Sequence, residues 1–322
     1  MPPKILIIPA RKHSAEAYSE YLIRYLSDEF HIEMGYPVDP GNPQPFQKDP
    51  DKFDLIYPHF DSHWFLDQEK YAHKVVLAYF EPHSDSKYPV AATAGLTQQV
   101  MEKMKPEFEL RFGVDTDLFV PYPMIRTDDL FHVGFTGNIQ TPRRYLKELF
   151  MPLKELEGVK IDLYPASWLP HTRPDEIEQM GGQAVVDNIV DGDKWWPGFP
   201  NCYNQMDIFV RCDIDPGYQF TVLEAAACGI PVVTTDPGLG KELCDFGGGI
   251  YVECQEGNFD PEVLEELAGR IREAVETLQQ DDNLRFQMGQ FGRAFVEENY
   301  TWNKWAPKWR EFFRKGLESA RS

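Results

Sequence analysis

Short apolar runs alternate with stretches of helical periodicity along most of this chain, and that alternation limits the folds open to it. KILIIP (4–9) has the length and composition of a strand buried on both faces. Behind it, Ala17, Tyr18, Tyr21, Leu22 and Leu26 recur at helical spacing, with Ser14 placed to cap the helix. HIEMGYP (31–37), FDLIYPHF (53–60) and KVVLAYF (74–80) read as further strands, and Ala91 to Met104 as a helix. Strands separated by helices form parallel sheets, because each crossover must return the chain to the same end of the sheet and does so with a right-handed turn.

The pattern restarts once. A turn-like GVDTD (113–117) leads into FVPYPM (119–124), whose two prolines suit a link between domains. FHVGFTG (131–137) opens the second set, with a predicted helix from about Pro142 to Leu156 and strands at KIDLYP (160–165), DIFVRC (207–212), IPVVTT (230–235) and GGIYVE (248–253). Pro261 to Gln280 is a long amphipathic helix, and Trp302 to Leu317 another, with Trp305, Trp309, Phe312 and Phe313 on one side. The 322 residues accommodate two domains of roughly 150 residues each. We read residues 1–122 as the first domain and 123–302 as the second, with the final helix, about 303–322, packing back on the first. Two doubly wound α/β domains of this kind are expected to face a central cleft at the carboxyl ends of their strands, where ligands bind.

Charge and composition remove several classes of function. With 32 Lys and Arg against 52 Asp and Glu the net charge is −20, and no basic cluster is large enough to offset that field. A polymeric nucleic acid, which demands a cationic face, is therefore not an expected partner. A small anion remains compatible, since a few arginines and one helix start act locally. No apolar run approaches the ~20 residues that cross a bilayer. MPPKILIIPARKH lacks the long apolar core and cleavage site of a secretory leader, and the first 30 residues carry no strong basic amphipathic face, so peripheral membrane association, open where an acceptor is lipid-linked, is not the favoured reading. The expected location is the cytoplasm. The five cysteines (Cys202, Cys212, Cys228, Cys244, Cys254) lie far apart without metal-ligand spacing and read as reduced core thiols.

The segment DIFVRCDIDPGYQFTVLEAAACGIPVVTT (207–235) carries the most chemistry. A strand ends near Cys212, the chain turns through Asp215-Pro216-Gly217, and a helix starts near Tyr218 or Gln219. Gly217 lets a ligand approach the backbone. The unpaired N–H groups of the first helical turn, Tyr218 to Thr221, carry partial positive charge and suit a phosphate. Glu224 follows on the same helix, and its carboxylate can accept two hydrogen bonds from a vicinal diol. Together these are parts of a nucleotide-diphosphate site.

This segment resembles the donor-site signature of retaining glycosyltransferases of the GT-B fold, family 4 in kind, in which a glycine-led helix carries an acid followed by A-x-A-x-G-x-P-V-V. Glu224 matches the second acid of that signature; Pro216 stands at the position of the first, with Asp215 one residue earlier as its substitute, and Gln219 replaces the family's second glycine. RFGVDTDLFVP (111–121) is similar to the family's interdomain motif, and TTDPGLGKELC (234–244) to its t-d-x-G-G-x-x-E loop. VGFTGNIQTPRR (133–144) resembles the strand and phosphate loop: Gly137 ends the strand, Asn138 occupies the usual arginine position, Arg143 matches the family lysine and Arg144 compensates for the missing arginine.

The resemblance implies a GT-B architecture of two Rossmann-like domains and a nucleotide-diphosphate sugar (UDP-, GDP- or ADP-linked) as donor. It implies transfer with retention to a glycan, lipid-linked or small-molecule acceptor; no Asp-x-Asp motif suited to a divalent cation stands where this fold would use one, so transfer without a metal or added cofactor is expected. Gly137, Asn138, Arg143, Arg144, Gly217, Tyr218, Gln219, Phe220, Thr221 and Glu224 would bind the donor. The acceptor side would use His83, with Glu81 as its rival, after the fourth strand, and Asp215 would contact the sugar. His59 and His63 are further cleft candidates, and Pro9-Ala10-Arg11-Lys12-His13 stands where a glycine-rich loop is common. Asp213-Ile214-Asp215 has the spacing of a cation motif but lies at the helix-start loop, and we read it as loop chemistry rather than metal ligation. An epimerase or phosphorylase of the same fold, or a non-catalytic sugar-nucleotide-binding relative, would share this sequence pattern.

Overall fold

The structure is a computed structural model, and it describes residues 1–9, 14–35, 37–39, 42–59, 66–79, 89–123, 128–137, 146–165, 183–184, 195–212, 220–254 and 260–321. Contacts divide the chain into two compact units, Met1–Gly113 with Trp302–Ser322, and Val114–Thr301.

The first unit contains β1 (Lys4–Ile8), α1 (Ser14–Leu26), β2 (His31–Met34), β3 (Pro37–Asp39), β4 (Asn42–Phe46), β5 (Leu55–Pro58), α2 (Gln68–Tyr71), β6 (Val76–Tyr79), β7 (Ala92–Gly95), α3 (Gln98–Met104) and β8 (Phe108–Glu109). Parallel strands run in the orders β2-β1-β5 and β6-β7-β8. A parallel bridge from Ile56 to Val75 joins the two sets, and β3 and β4 form a separate antiparallel pair. β1 and β5 are buried on both faces, which is why their sequences are apolar without alternation.

The segment Ala91–Met104, expected as one helix, divides into β7 and α3. Ala92, Ala94 and Gly95 are buried, where small side chains fit and helix propensity is overridden by pairing with β6 and β8. Thr97 then caps α3 by accepting from the Val100 N–H at 3.2 Å.

The second unit contains β9 (Phe131–Gly137), β10 (Val159–Pro165), β11 (Gln183–Ala184), α4 (Trp195–Asn204), β12 (Ile208–Arg211), α5 (Phe220–Ala227), β13 (Val232–Thr234), α6 (Leu239–Asp245), β14 (Gly249–Tyr251), α7 (Pro261–Gln280) and α8 (Asp282–Asn299). Its six strands are all parallel, in the order β11-β10-β9-β12-β13-β14. Two apolar layers cover the sheet. Ile208 and Val210 of β12 point into one with Leu267, Ile271 and Val275 of α7, whereas Phe209 points into the other with Leu223 of α5 and Val296 of α8.

In place of the expected helix over Pro142–Leu156 the described part is a π-helical segment, Leu146–Phe150, followed by a 3₁₀ turn, Met151–Glu155. Pro152 explains the break, because it lacks the N–H that a continuing α-helix would use.

Residues 114–117 of the GVDTD segment fold as a turn within this unit. Asp115 Oδ1 accepts from the N–H groups of Asp117 and Leu118, both at 3.2 Å, and Arg293 of α8 donates to the carbonyls of Thr116, Phe119 and Ala227. α8 approaches this region closely because it carries glycine: a Cβ on Gly289 would lie 2.2 Å from the Gly229 carbonyl oxygen. Gly289→Ala is therefore expected to lose about 2 kcal/mol in urea unfolding, since backbone overpacking exceeds the gain of about 1 kcal/mol in helix propensity. Gly269 on α7 faces open space, so Gly269→Ala should gain about 0.5–1 kcal/mol. Equal signs for the two variants would contradict this packing.

The last helix, α9 (Trp302–Arg321), belongs to the first unit. Its Trp302, Trp305, Trp309, Phe312, Phe313 and Leu317 are buried. Gly316 lets it seat on the sheet, where a Cβ would meet Val76 Cγ1 at 2.4 Å. Arg310 and Arg314 reach back to Asp28 and Glu29 beyond α1.

Candidate functional site

In the second unit the chain passes from β9 outward to β10, then returns to lay β12 on the other side of β9. The strand order thus reverses between β9 and β12, and crossovers leave on opposite faces, which opens a crevice beyond their carboxyl ends. Gly137 is the last residue of β9, and Arg211 the last of β12. α5 begins beyond β12 at Phe220, so its first turn lies at this end of the sheet.

A connected polar cluster occupies the place. Glu224, one turn into α5, is 5% exposed, and its Oε2 accepts from the Tyr203 hydroxyl of α4 at 2.7 Å. The same hydroxyl lies 3.2 Å from Thr136 Oγ1, one residue before the end of β9. Arg211 is also buried; its Nη1 donates to the Thr136 carbonyl at 3.1 Å and to Thr221 Oγ1 at 3.4 Å, and its guanidinium lies 5.3 Å from the Phe135 ring centroid. The two central strands and the two helices are tied together by these contacts.

Burial pushes the Glu224 carboxyl up to about 7, against the opposing effect of the Tyr203 hydrogen bond. Near neutral pH it therefore exists as both acid and carboxylate. Other ionisable groups here are engaged or inert. Asp236, beyond β13, accepts from the N–H groups of Gly238 at 3.1 Å and Gly240 at 2.8 Å, which caps α6. Burial holds the Cys202 and Cys244 thiols up at about 12, so neither is a ready nucleophile. A second charged cluster sits at the opposite ends of the strands: His132 has Asp162 at 2.5 Å on Nδ1 and Asp128 at 2.8 Å on Nε2. The described residues include no group of three His, Cys, Asp or Glu side chains placed to hold a metal ion.

Of the residues expected to bind the donor, Phe220, Thr221 and Glu224 lie together in α5, and the backbone of Gly137 ends β9. Asn138, Arg143, Arg144, Asp215, Gly217, Tyr218 and Gln219 lie outside the described residues, as do Glu81, His83, His63 and Arg11-Lys12-His13. His59 is fully buried among Tyr18, Tyr57 and Phe112, and burial depresses it to about 3, so it is neutral at physiological pH. Sequence reading missed Thr136, Tyr203 and Arg211. An arginine at the end of the otherwise apolar run IFVR was a usable signal for the last; the other two carry none.

A family model described as glycosyl transferase-like matches residues 143–311, more than half of the chain. Over 218 residues the chain is 23% identical to the D-inositol 3-phosphate glycosyltransferase of Paenarthrobacter aurescens (strain TC1), a match that covers 64% of this chain and 50% of the relative. The chain thus spans about half the length of that curated relative. Among solved structures it is similar to sucrose-phosphate synthase from Thermosynechococcus elongatus, with a TM-score of 0.72 at 14% identity over 98% of this chain and 100% of that one. It is also similar to HepE of Anabaena in complex with UDP and glucose, with a TM-score of 0.68 at 14% identity over 96% of this chain and 98% of that one. At such identity the structural likeness speaks for the fold. No helix among the described residues is long and apolar enough to cross a membrane.

Proposed function

The chain belongs to the glycosyl transferase-like family and has an α/β fold of GT-B type, and from that premise we propose that it moves a sugar from a nucleotide-diphosphate sugar to a glycan, lipid-linked or small-molecule acceptor. In this reading the second unit binds the donor and the first the acceptor. Glu224 accepts hydrogen bonds from the ribose hydroxyls, and the diphosphate is assigned to the N–H groups of Phe220 and Thr221 in the first turn of α5 together with Gly217, Tyr218 and Gln219, which are assigned from the sequence alone.

Bond cleavage at the anomeric carbon puts negative charge on the leaving phosphate oxygen. Arg143, Arg144 and the helix start are the groups assigned to stabilise it, and the loss of one such donor costs about 3–4 kcal/mol in comparable sites. His83 or Glu81 is assigned to the acceptor and Asp215 to the sugar. Retention of configuration rests on the resemblance of residues 207–235 to the retaining family, and transfer without a metal on a sequence that has no Asp-x-Asp motif where this fold would use one.

One observation carries the donor assignment: a buried carboxyl, Glu224, on the helix that follows β12, where the strand order reverses. UDP is the first nucleotide to test, because the similar HepE structure holds UDP and glucose. In calorimetric titrations with UDP, GDP and ADP, one nucleotide should bind, and Glu224→Ala should weaken it at least about tenfold, equivalent to about 1.4 kcal/mol. Unchanged affinity in the variant would remove Glu224 from the site. Product analysis with the matching nucleotide sugar, with and without acceptor, separates transfer from acceptor-free conversion.

A further inference from the structure

We propose that Tyr203 is a positioning residue for the donor site: its hydroxyl occupies Oε2 of Glu224, favours the carboxylate over the acid and directs Oε1 to the ribose. This inference rests on the assignment of Glu224 to the nucleotide made above.

Tyr203 is suited to the task by its packing. Its side chain is wholly buried, and its ring lies against Phe209 at 5.8 Å and Phe119 at 6.1 Å between centroids. A phenol has one proton. At 2.7 Å that proton is committed to Glu224 Oε2, so the 3.2 Å contact with Thr136 has the threonine hydroxyl as donor. The chain therefore runs Thr136 to Tyr203 to Glu224, from the carboxyl end of β9 to α5, and each donation sharpens the next. Glu224 makes no other side-chain hydrogen bond among the described residues, which leaves Oε1 for a ligand hydroxyl.

Tyr203 is the one side chain hydrogen-bonded to Glu224 among the described residues, and two arginines that reach α5 bond other groups. Arg211 approaches from β12 and bonds Thr136 and Thr221. Arg293 approaches from α8 and bonds the Ala227 carbonyl, and Cys228 follows on the same chain segment, with a thiol that burial keeps protonated. Burial drives Glu224 towards its acid form, and Tyr203 is the group that opposes it. The carboxylate accepts two hydroxyl protons whereas the acid accepts fewer, so the proton on Glu224 competes with the ribose.

The test is UDP binding by calorimetry across pH 5.5–9, beside 2′,3′-dideoxy-UDP, in the parent, Tyr203→Phe, Thr136→Val and Glu224→Gln proteins. In the parent, UDP affinity should rise with pH around a midpoint near 7. Tyr203→Phe should move that midpoint up by about one pH unit, which weakens UDP about fivefold at pH 7 and hardly at pH 9. Thr136→Val should move it less, in the same direction, and stands in if Tyr203→Phe does not fold. Dideoxy-UDP affinity should be the same in the parent and both variants. A midpoint unmoved by either substitution, in a parent that still discriminates UDP from dideoxy-UDP, overturns the role of Tyr203 and leaves Glu224 in place. If the parent does not discriminate and Glu224→Gln binds UDP as well as the parent, the assignment of Glu224 falls, and the role of Tyr203 with it.

Discussion

Glu224→Gln should melt several degrees above the parent at pH 8. The sign follows from linkage. The carboxyl has an ordinary value of 4.5 and is raised to about 7 in the folded chain, so between those values the folded state holds a proton that the unfolded state has released. Stability is fully present below 4.5, falls as pH rises through that window, and stays reduced above 7. The deficit at pH 8 is on the order of 3 kcal/mol. Glutamine keeps an oxygen for the Tyr203 hydroxyl and removes the charge whose burial is unfavourable. Thermal melts at pH 8 and pH 4.5 read the effect directly: a clear gain at the higher pH, shrinking towards none at the lower. A variant that melts at or below the parent at pH 8 would show that the carboxyl is not held in an unfavourable ionised state. A loss of UDP affinity in the same variant, as proposed for Glu224 above, would set stability and binding in opposition on one substitution, the behaviour of a residue kept for binding rather than for folding.

That residue shows how far sequence carries and where it stops. Glu224 stands out in the chain because an acid interrupts FTVLEAAACG, a run otherwise suited to the core. Its protonation is not readable there, because burial depends on α4, α8 and the strand ends that close around it. Long amphipathic elements were equally legible: Pro261–Gln280 has the extent expected, since Asp260 caps it and Pro261 starts it. Elements defined by close approach were not. β7 is built of alanine, threonine and glycine and looks helical until its neighbours are present. α8 spaces Gly289 and Gly292 where a periodic stripe would place large apolar groups, because the helix rests on Gly229, Gly248 and Ala226. The contacts of Tyr203 with Thr136 and Glu224 join residues 67 and 21 positions apart, and no local pattern encodes them.

Trp309→Ala is expected to be the most damaging single substitution in the first unit. The indole is wholly buried in α9, with ring centroids at 4.9 Å from Phe112, 5.5 Å from Tyr57 and 5.8 Å from Phe313. Truncation of a buried aromatic of this size costs about 3–5 kcal/mol. The change also removes the 2.8 Å hydrogen bond from Nε1 to the Arg111 carbonyl, which is left to find another donor. Lys315→Ala, on the exposed side of the same helix, should fall within about 0.5 kcal/mol of the parent. Because the cluster around Trp309 lies wholly in the first unit, its loss should not lower the stability of the second. Denaturation followed by two probes should then separate: hydrogen exchange at the amides of β1 and β5 should shift to lower urea, and exchange at the amides of β9 and β12 should keep its midpoint. A single coincident transition that shifts as a whole would mean that the two units unfold as one cooperative body.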